Sequence, residues 1–346
     1  MRLAGQIEED AWNVIAAVPA ITDLAGKNVL VTGGTGIIGL HCMAVLGIVD
    51  AHYGLGSLTY TSLHEIGEFN DLVSHLASNA RWIKADMAVG SQIKTLPRVN
   101  VIIHAAGYGQ PAKFMANPLA TIALNTSAII HMDSLLEDDG RAMFISSSEV
   151  YSGHPYAPHH ESYNGTTTPQ HPRGAYIEGK RCGEAIAHAI NTTGNKIYKV
   201  ARVSLSYGPG TRKNDDRVIN HFIRQAVTDG VIACKDSGSA GRTYNYVSDC
   251  IEMLFSILLR GKHEVYNVAG TSDISIRELA NTIANLTGTK ATFPDGANHL
   301  GDSSAPALVK SSIDNYVQEF RKSKFIDLVE GLKRTINWQR LLYGKT

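Results

Sequence analysis

Val29-Leu-Val-Thr32-Gly33-Gly-Thr35-Gly36-Ile37-Ile38-Gly39 runs from a β-favouring stretch into glycines spaced three apart and then into an apolar helical segment. Each glycine has a separate task. Gly33 permits a tight turn, Gly36 lets backbone N–H groups approach a pyrophosphate, and Gly39 lets the helix pack closely on the strand. The helix start that follows carries partial positive charge, so the turn is built to hold an anion. Gly33, Thr35, Gly36, Ile37, Ile38 and Gly39 are the candidate cofactor-binding residues of this turn.

On either side the same rhythm repeats. Short apolar runs at residues 29–32, 58–62, 81–84, 99–104, 142–146 and 196–203 are separated by segments long enough for a helix. That alternation predicts an α/β protein of Rossmann type, a doubly wound parallel sheet whose ligands collect at the carboxyl ends of the strands. Ahead of it, residues 7–18 carry apolar positions at helical spacing, so residues 1–25 read as an N-terminal helical extension. Residues 26–206 form the expected dinucleotide-binding domain. Residues 207–346 form mainly a smaller substrate-binding lobe, with about 243–270 returning to the first domain. Helices are expected at 218–228, 276–286 and 316–342.

The charge balance narrows the partners. Among 346 residues, 32 Lys and Arg face 32 Asp and Glu, with 18% charged and 44% hydrophobic. A neutral chain lacks the broad basic surface that nucleic acid demands. No apolar run approaches the roughly 18 residues of a membrane span; the best, at 253–259, is short. Glu8, Glu9 and Asp10 stand where a signal peptide would be basic and then apolar, so a cytoplasmic protein is expected. Cys42, Cys182, Cys234 and Cys250 lie far apart and read as reduced, individually buried thiols. The loop 154–172 holds four His without metal-ligand spacing; they read as solvated, and no metal is expected.

Further features accompany the glycine turn. Asp86, with Met87, follows the third strand, where a carboxylate can accept a hydrogen bond from an adenine amino group. His104-Ala105-Ala106-Gly107 ends the fourth with small residues that leave room for a dinucleotide. The second strand, Thr59-Tyr-Thr-Ser62-Leu-His64, ends without the acidic residue that bonds a ribose 2′-hydroxyl and without an Arg. This strand end leaves the choice between NAD and NADP open; the expected cofactor is NAD, with NADP not excluded.

Tyr176-Ile-Glu-Gly-Lys180 places a phenol and an ammonium on one helix face. A nearby Lys cation favours the phenolate, so Tyr176 is expected to move a proton near neutral pH, with Ser147 hydrogen-bonding the same substrate oxygen. Alone, such spacing is common by chance; here it follows the fifth strand, in order behind the glycine turn.

With these residues the chain resembles the extended short-chain dehydrogenase/reductase family, in particular its nucleotide-sugar epimerases, dehydratases and decarboxylases. The likeness runs from Lys27 to Trp338 and includes Asn117-Pro, Asn125-Thr, Ser146-Ser-Ser-Glu-Val-Tyr151, Tyr207-Gly-Pro-Gly210 and Arg242-Thr-Tyr-Asn-Tyr-Val-Ser-Asp249. It implies that Asn125, Tyr176 and Lys180 also touch the cofactor. Sugar 4,6-dehydratases show an Asp-Glu pair after the fifth strand; Ser148-Glu149 here is similar to the UDP-glucuronate decarboxylases. Oxidation at C4 makes the C6 carboxylate β to a carbonyl, and it then leaves as carbon dioxide without an acid to protonate a departing hydroxyl. Glu149 then acts as a base at C5 or orients a water or carboxylate.

The resemblance makes Lys113, Ser148, Arg173, Arg217 and Arg242 candidate substrate-binding residues, Arg242 against the pyrophosphate and Lys113 and Arg173 against a carboxylate. Leu205 stands where the family usually has Asn, so one polar contact beside the sugar is missing. A C4 or C5 epimerase and, behind it, a 4,6-dehydratase stay open. A dinucleotide-sensing protein on the same fold is the alternative outside catalysis; its mark would be a damaged Tyr/Lys/Ser set. The resemblance also implies a homodimer through helices at 118–136 and 175–190.

Overall fold

The computed structural model describes residues 3–65, 67–294 and 308–345. Residues 1 and 2 of the expected extension and residues 295–307 and 346 of the expected lobe lie outside the described residues. Along the chain, α1 (Ala4–Ala17) and a 3₁₀ turn (Pro19–Leu24) precede β1 (Asn28–Thr32), α2 (Ile37–Tyr53), β2 (Ser57–Ser62), α3 (Glu68–Leu76), β3 (Arg81–Lys84), α4 (Gly90–Ile93) and β4 (Val99–His104). Next come α5 (Pro111–Ala116), α6 (Pro118–Asn125), α7 (Ser127–Asp133), β5 (Leu136–Ser147), α8 (Gly174–Thr193), β6 (Ile197–Val203) and β7 (Leu205–Tyr207). The rest comprises α9 (Val218–Thr228), β8 (Val231–Ala233), β9 (Gly241–Tyr246), α10 (Val247–Arg260), β10 (Val265–Val268) and β11 (Ser272–Ser275). It ends with α11 (Ile276–Thr287), β12 (Lys290–Thr292), β13 (Leu308–Val309), α12 (Asp314–Phe320) and α13 (Leu328–Leu342).

The main sheet has seven strands in the order β10-β6-β5-β4-β1-β2-β3, and every pairing in it is parallel. This is the doubly wound Rossmann-like sheet. Between β1 and β4 the order of successive strands reverses, and a crevice opens at such a point. The glycine turn leaves β1 and His104-Ala-Ala leaves β4, so both reach that crevice. A smaller sheet joins β7, β9, β11 and β13, and β8 pairs with β12.

The apolar run at 253–259 is part of α10, whose residues Met253 to Leu259 are all buried against the sheet and α2. Among the described residues no helix is long and apolar enough to cross a membrane. The N-terminal helix α1 packs on α2 and α10. Its Asp10, 1% exposed, accepts hydrogen bonds from the Tyr246 hydroxyl at 2.8 Å and Arg334 Nη1 at 3.0 Å. Burial pushes this carboxyl up to about 6, and Tyr246 and Arg334 pull it back.

Several expectations are corrected. The helix expected at 118–136 breaks at Thr126 (φ −129°, ψ −83°), and Leu136 already belongs to β5; the Thr126 hydroxyl donates to the Ile122 carbonyl at 2.8 Å and competes with the helical ladder. The helix expected at 316–342 ends at Arg321, which takes φ 57°. Lys322 then turns inward to Asp249 (2.9 Å) and Glu252 (2.6 Å), and the Ile326 N–H donates to Asp249 at 2.8 Å, so anchoring to α10 outweighs continuing the helix. In the 154–172 loop, His159 is buried and stacks on Tyr151 at 4.8 Å instead of facing solvent. Of the cysteines only Cys42 and Cys250 are buried; Cys182 is exposed and Cys234 half-buried, all four free.

Candidate active site

The glycines of the turn separate by what surrounds them. Gly33 has φ 70°, and a Cβ there would lie 2.7 Å from the Ala106 backbone. At Gly39 a Cβ would meet the Gly33 carbonyl oxygen at 2.2 Å, so both glycines are required by the fold. At Gly36 a Cβ would find only ordinary contact, 3.4 Å from that oxygen. The protein itself leaves room beside Gly36. This glycine is also the N-cap of α2 and caps it with no side chain, and the first N–H groups of a helix have no intrahelical acceptor. The cradle fits a pyrophosphate.

Opposite it, a chain of hydrogen bonds fixes the end of β4. The Leu124 carbonyl can only accept, so His104 Nε2 donates to it at 2.8 Å, leaving Nδ1 to accept from Thr32 Oγ1 at 2.7 Å. Thr32 Oγ1 in turn accepts the Ala106 N–H at 3.2 Å. Burial lowers His104 to about 4, so the ring is neutral at physiological pH. Ala105 and Ala106 are thereby held against the glycine turn, and nothing lies within 4 Å of a Cβ placed on Gly107. Asp86 Oδ1 caps its own turn through the Ala88 N–H at 2.8 Å, and Met87 is buried. Asn125 is buried and donates to the Thr121 carbonyl at 2.7 Å. A Cβ on Gly183 would come within 2.4 Å of the Asn125 carbonyl, which shows how closely α6 approaches α8.

Ser147 ends β5 and accepts the Glu149 N–H at 3.2 Å, capping the 3₁₀ turn Ser148–Tyr151. Its hydroxyl is hydrogen-bonded to Tyr176, in the first turn of α8. The Tyr176 ring stacks on Phe114 at 4.4 Å. Lys180 Nζ donates to the Ile145 carbonyl at 2.6 Å and lies 5.6 Å from the Tyr176 ring centroid. The expectation that the Lys180 cation favours the Tyr176 phenolate meets an opposing effect, the burial of both groups. Burial pushes the phenol up to about 12, against the pull of Ser147, and lowers Lys180 to about 7. Desolvation disfavours the charged form of both groups.

Beside them, Arg173 Nη2 donates to Glu149 Oε1 at 2.6 Å, and the Arg173 guanidinium lies 5.4 Å from the Phe114 ring. Arg242, on β9, feels the charges of both Glu149 and Arg173, and its Nη1 donates to the Gly241 carbonyl at 2.7 Å. Ser148 is buried. Ser147, Glu149, Arg173, Tyr176 and Lys180 thus share one neighbourhood with Arg242 at its border. Lys113 instead lines a cavity of about 340 Å³ with Thr35. Arg217 is tied to Asp215 through two nitrogens, at 3.0 and 2.6 Å, at the start of α9. Leu205 starts β7 and pairs with Tyr244. Among the described residues no cluster of three or more His, Cys, Asp or Glu could hold a metal.

Two groups escape a reading by spacing. Phe114 is one apolar residue on a short helix, and nothing in its spacing announces the stack on Tyr176. Glu184 accepts from Ser146 Oγ at 2.5 Å and from Arg202 Nη2 at 2.7 Å, and so braces the end of β5. Its position four residues beyond Lys180 on α8 was the available signal.

The profile of the NAD dependent epimerase/dehydratase family matches residues 29–269. The chain is 28% identical over 330 residues to UDP-glucuronic acid decarboxylase 1 of Xenopus tropicalis, covering 91% of this chain and 72% of that one. DesIV, a dTDP-glucose 4,6-dehydratase from Streptomyces venezuelae solved with NAD and TYD bound, superposes with a TM-score of 0.77 at 18% identity, over 92% of this chain and 98% of DesIV. MoeE5, solved in complex with UDP-glucuronic acid and NAD, gives a TM-score of 0.72 at 20% identity, over 91% and 99%. These two structures share the fold. Taken with the glycine cradle and the intact Ser147, Tyr176 and Lys180, the chain belongs to the NAD dependent epimerase/dehydratase family and is an enzyme of the extended short-chain dehydrogenase/reductase type.

Proposed function

We propose that this enzyme decarboxylates UDP-glucuronate through a 4-keto intermediate. One observation carries the reading: Ser148, not an acid, is buried between Ser147 and the ion-paired Glu149. A dehydratase needs an acid to protonate a leaving hydroxyl; loss of carbon dioxide does not. The similarity to UDP-glucuronic acid decarboxylase 1 supports it.

Tyr176, relayed by Ser147, takes the proton of the sugar C4 hydroxyl. NAD, when bound, supplies the hydride acceptor for C4 and the hydride that later restores the hydroxyl. Tyr176 is pushed up to about 12 in the free protein, so it takes the C4 proton only after its own has passed to solvent, and the Lys180 cation beside it favours that loss. With C4 a ketone, the C5–C6 bond breaks, its electrons pass into the enolate, and the carboxylate departs as carbon dioxide. A proton returned to C5 completes the sugar. Arg242 and Arg173 provide positive charge for the pyrophosphate and the carboxylate. Glu149 acting as a base at C5 would make the enzyme an epimerase, which is the second reading.

The partner of this chain is a second copy. Leu119 (81% exposed), Ile122 (40%) and Ile130 (56%) leave apolar surface on α6 and α7, beside α8. A cytoplasmic location rests on the four free cysteines. Incubation with UDP-glucuronate, UDP-glucose and UDP-N-acetylglucosamine, followed by mass spectrometry, tests the reaction. The expected product is UDP-glucuronate lighter by carbon dioxide. Loss of water instead, or an isomer of unchanged mass, would overturn decarboxylation.

A further inference from the structure

The cavity lined by Thr35 extends from the glycine turn to the residues beyond β2, and its charged or titratable lining is His64, Glu65, Lys113, Arg212 and Lys213. In a doubly wound sheet the region between the turn after β1 and the end of β2 receives the adenosine ribose of a dinucleotide. An acidic residue there accepts the ribose 2′-hydroxyl and repels a 2′-phosphate. This chain has Ser62 at that strand end, and its hydroxyl is already committed. It donates to the His64 carbonyl at 2.8 Å and accepts the Trp82 indole N–H at 2.8 Å.

The surrounding charge has the opposite sign. Three formal cations, Lys113, Arg212 and Lys213, line the cavity against one carboxylate, Glu65, which is paired with Lys84 at 2.7 Å. Arg212 is fixed by neutral groups. Its Nη2 donates to the Thr35 carbonyl at 3.0 Å, and its guanidinium lies 4.7 Å from the Phe69 ring centroid. Among the described residues no carboxylate pairs with Arg212. A guanidinium positioned in this way keeps donors for an anion, and a phosphate monoester brings close to two negative charges and three acceptor oxygens.

We infer that the adenosine end of the cleft receives a ribose 2′-phosphate on Arg212 and Lys213, so that the protein binds NADP at least as tightly as NAD. The inference rests on the reading of the glycine turn as a dinucleotide site. It does not alter the hydride chemistry, because the 2′-phosphate lies at the far end of the cofactor from the nicotinamide.

Calorimetric titration of the protein, freed of bound nucleotide, with 5′-ADP, 2′,5′-ADP, NAD and NADP tests it. The expected result is 2′,5′-ADP binding at least about tenfold tighter than 5′-ADP, the effect of one good charge-assisted hydrogen bond, and NADP binding no weaker than NAD. Arg212→Met and Lys213→Met should each remove most of that preference while changing 5′-ADP affinity less than about threefold. Two separate variants guard against one that fails to fold. Tighter binding of 5′-ADP and NAD than of their 2′-phosphorylated forms overturns the inference and leaves the dinucleotide site standing. An equal loss of 5′-ADP and 2′,5′-ADP affinity in both variants assigns these cations to the pyrophosphate and also overturns it. Failure of all four ligands to bind overturns the dinucleotide reading and this inference together.

Discussion

Glu149 and Arg173 form an ion pair, 2.6 Å from Oε1 to Nη2, with side chains only 17% and 8% exposed. The carboxylate next to Ser148 is therefore neutralised in the ligand-free protein, and Arg173 is held pointing at the residues that follow β5. Removing one partner of a buried pair strands the other charge in a poorly solvated site. Arg173→Met and Glu149→Gln should each lower stability by about 3 kcal/mol, and the double variant should lose clearly less than the sum. Urea unfolding of the four proteins measures this cycle; additive losses would show that the two side chains do not depend on each other.

Tyr176→Phe keeps the ring that stacks on Phe114 and removes only the hydroxyl. Turnover should fall by about 10²-fold or more, while the melting temperature and dinucleotide affinity stay close to those of the parent. Full activity in this variant would remove Tyr176 from the proton transfer.

Gly36→Ala and Gly39→Ala should fail in different ways. The second puts a methyl 2.2 Å from the Gly33 carbonyl and must disturb the β1–α2 turn, so thermal stability falls. The first finds 3.4 Å of clearance and leaves folding nearly unchanged, but fills space that the pyrophosphate approaches, so NAD affinity falls about tenfold or more. Calorimetric binding and thermal melts of both variants separate the two effects.

His104 makes the fold acid-sensitive. Its folded-state value is lowered from 6.5 to about 4 by burial, so the unfolded chain binds the extra proton first. A depressed group contributes stability that is present above its unfolded value and lost as pH falls towards the folded one. Stability should therefore drop by about 3 kcal/mol between pH 6.5 and 4 from this residue alone. Urea midpoints across that range test it, and His104→Gln should flatten the slope.

Leu119 and Ile130 stand out from α6 and α7 with most of their surface exposed. If this face meets a second copy, Leu119→Asp combined with Ile130→Asp yields a monomer with an unchanged circular dichroism spectrum. Sedimentation or light scattering reads the outcome, and a parent protein that is already monomeric would refute the dimer.

Much of the fold was legible because its signals are local. β1 to β4 begin and end within one residue of the short runs that announced them, and in β1 and β4, the central pair, those runs are apolar because both faces of the sheet are covered there. The glycine spacing named the cradle because each position is a steric requirement of a short turn. Tyr176 and Lys180 were placed together by helical periodicity, which needs no knowledge of the rest of the chain.

Tertiary structure decided what depends on neighbours remote in sequence. Burial raises Tyr176 and lowers Lys180, an effect that helical spacing does not reveal. Phe114 and Glu184 reached the site only through packing. Arg217 pairs with Asp215, Arg173 pairs with Glu149, and Lys113 lines a cavity with Thr35, pairings and placements that no spacing in the sequence announces. The breaks at Thr126 and Arg321 likewise came from bonds outside the helical ladder. The amino-acid sequence by itself determined the order of elements, the anion cradle and the Tyr/Lys/Ser set. The folded chain determined which charges are paired, which are buried and which remain to meet a ligand, because electrostatic energies depend on distance and solvent exposure, and neither exists until the chain has packed.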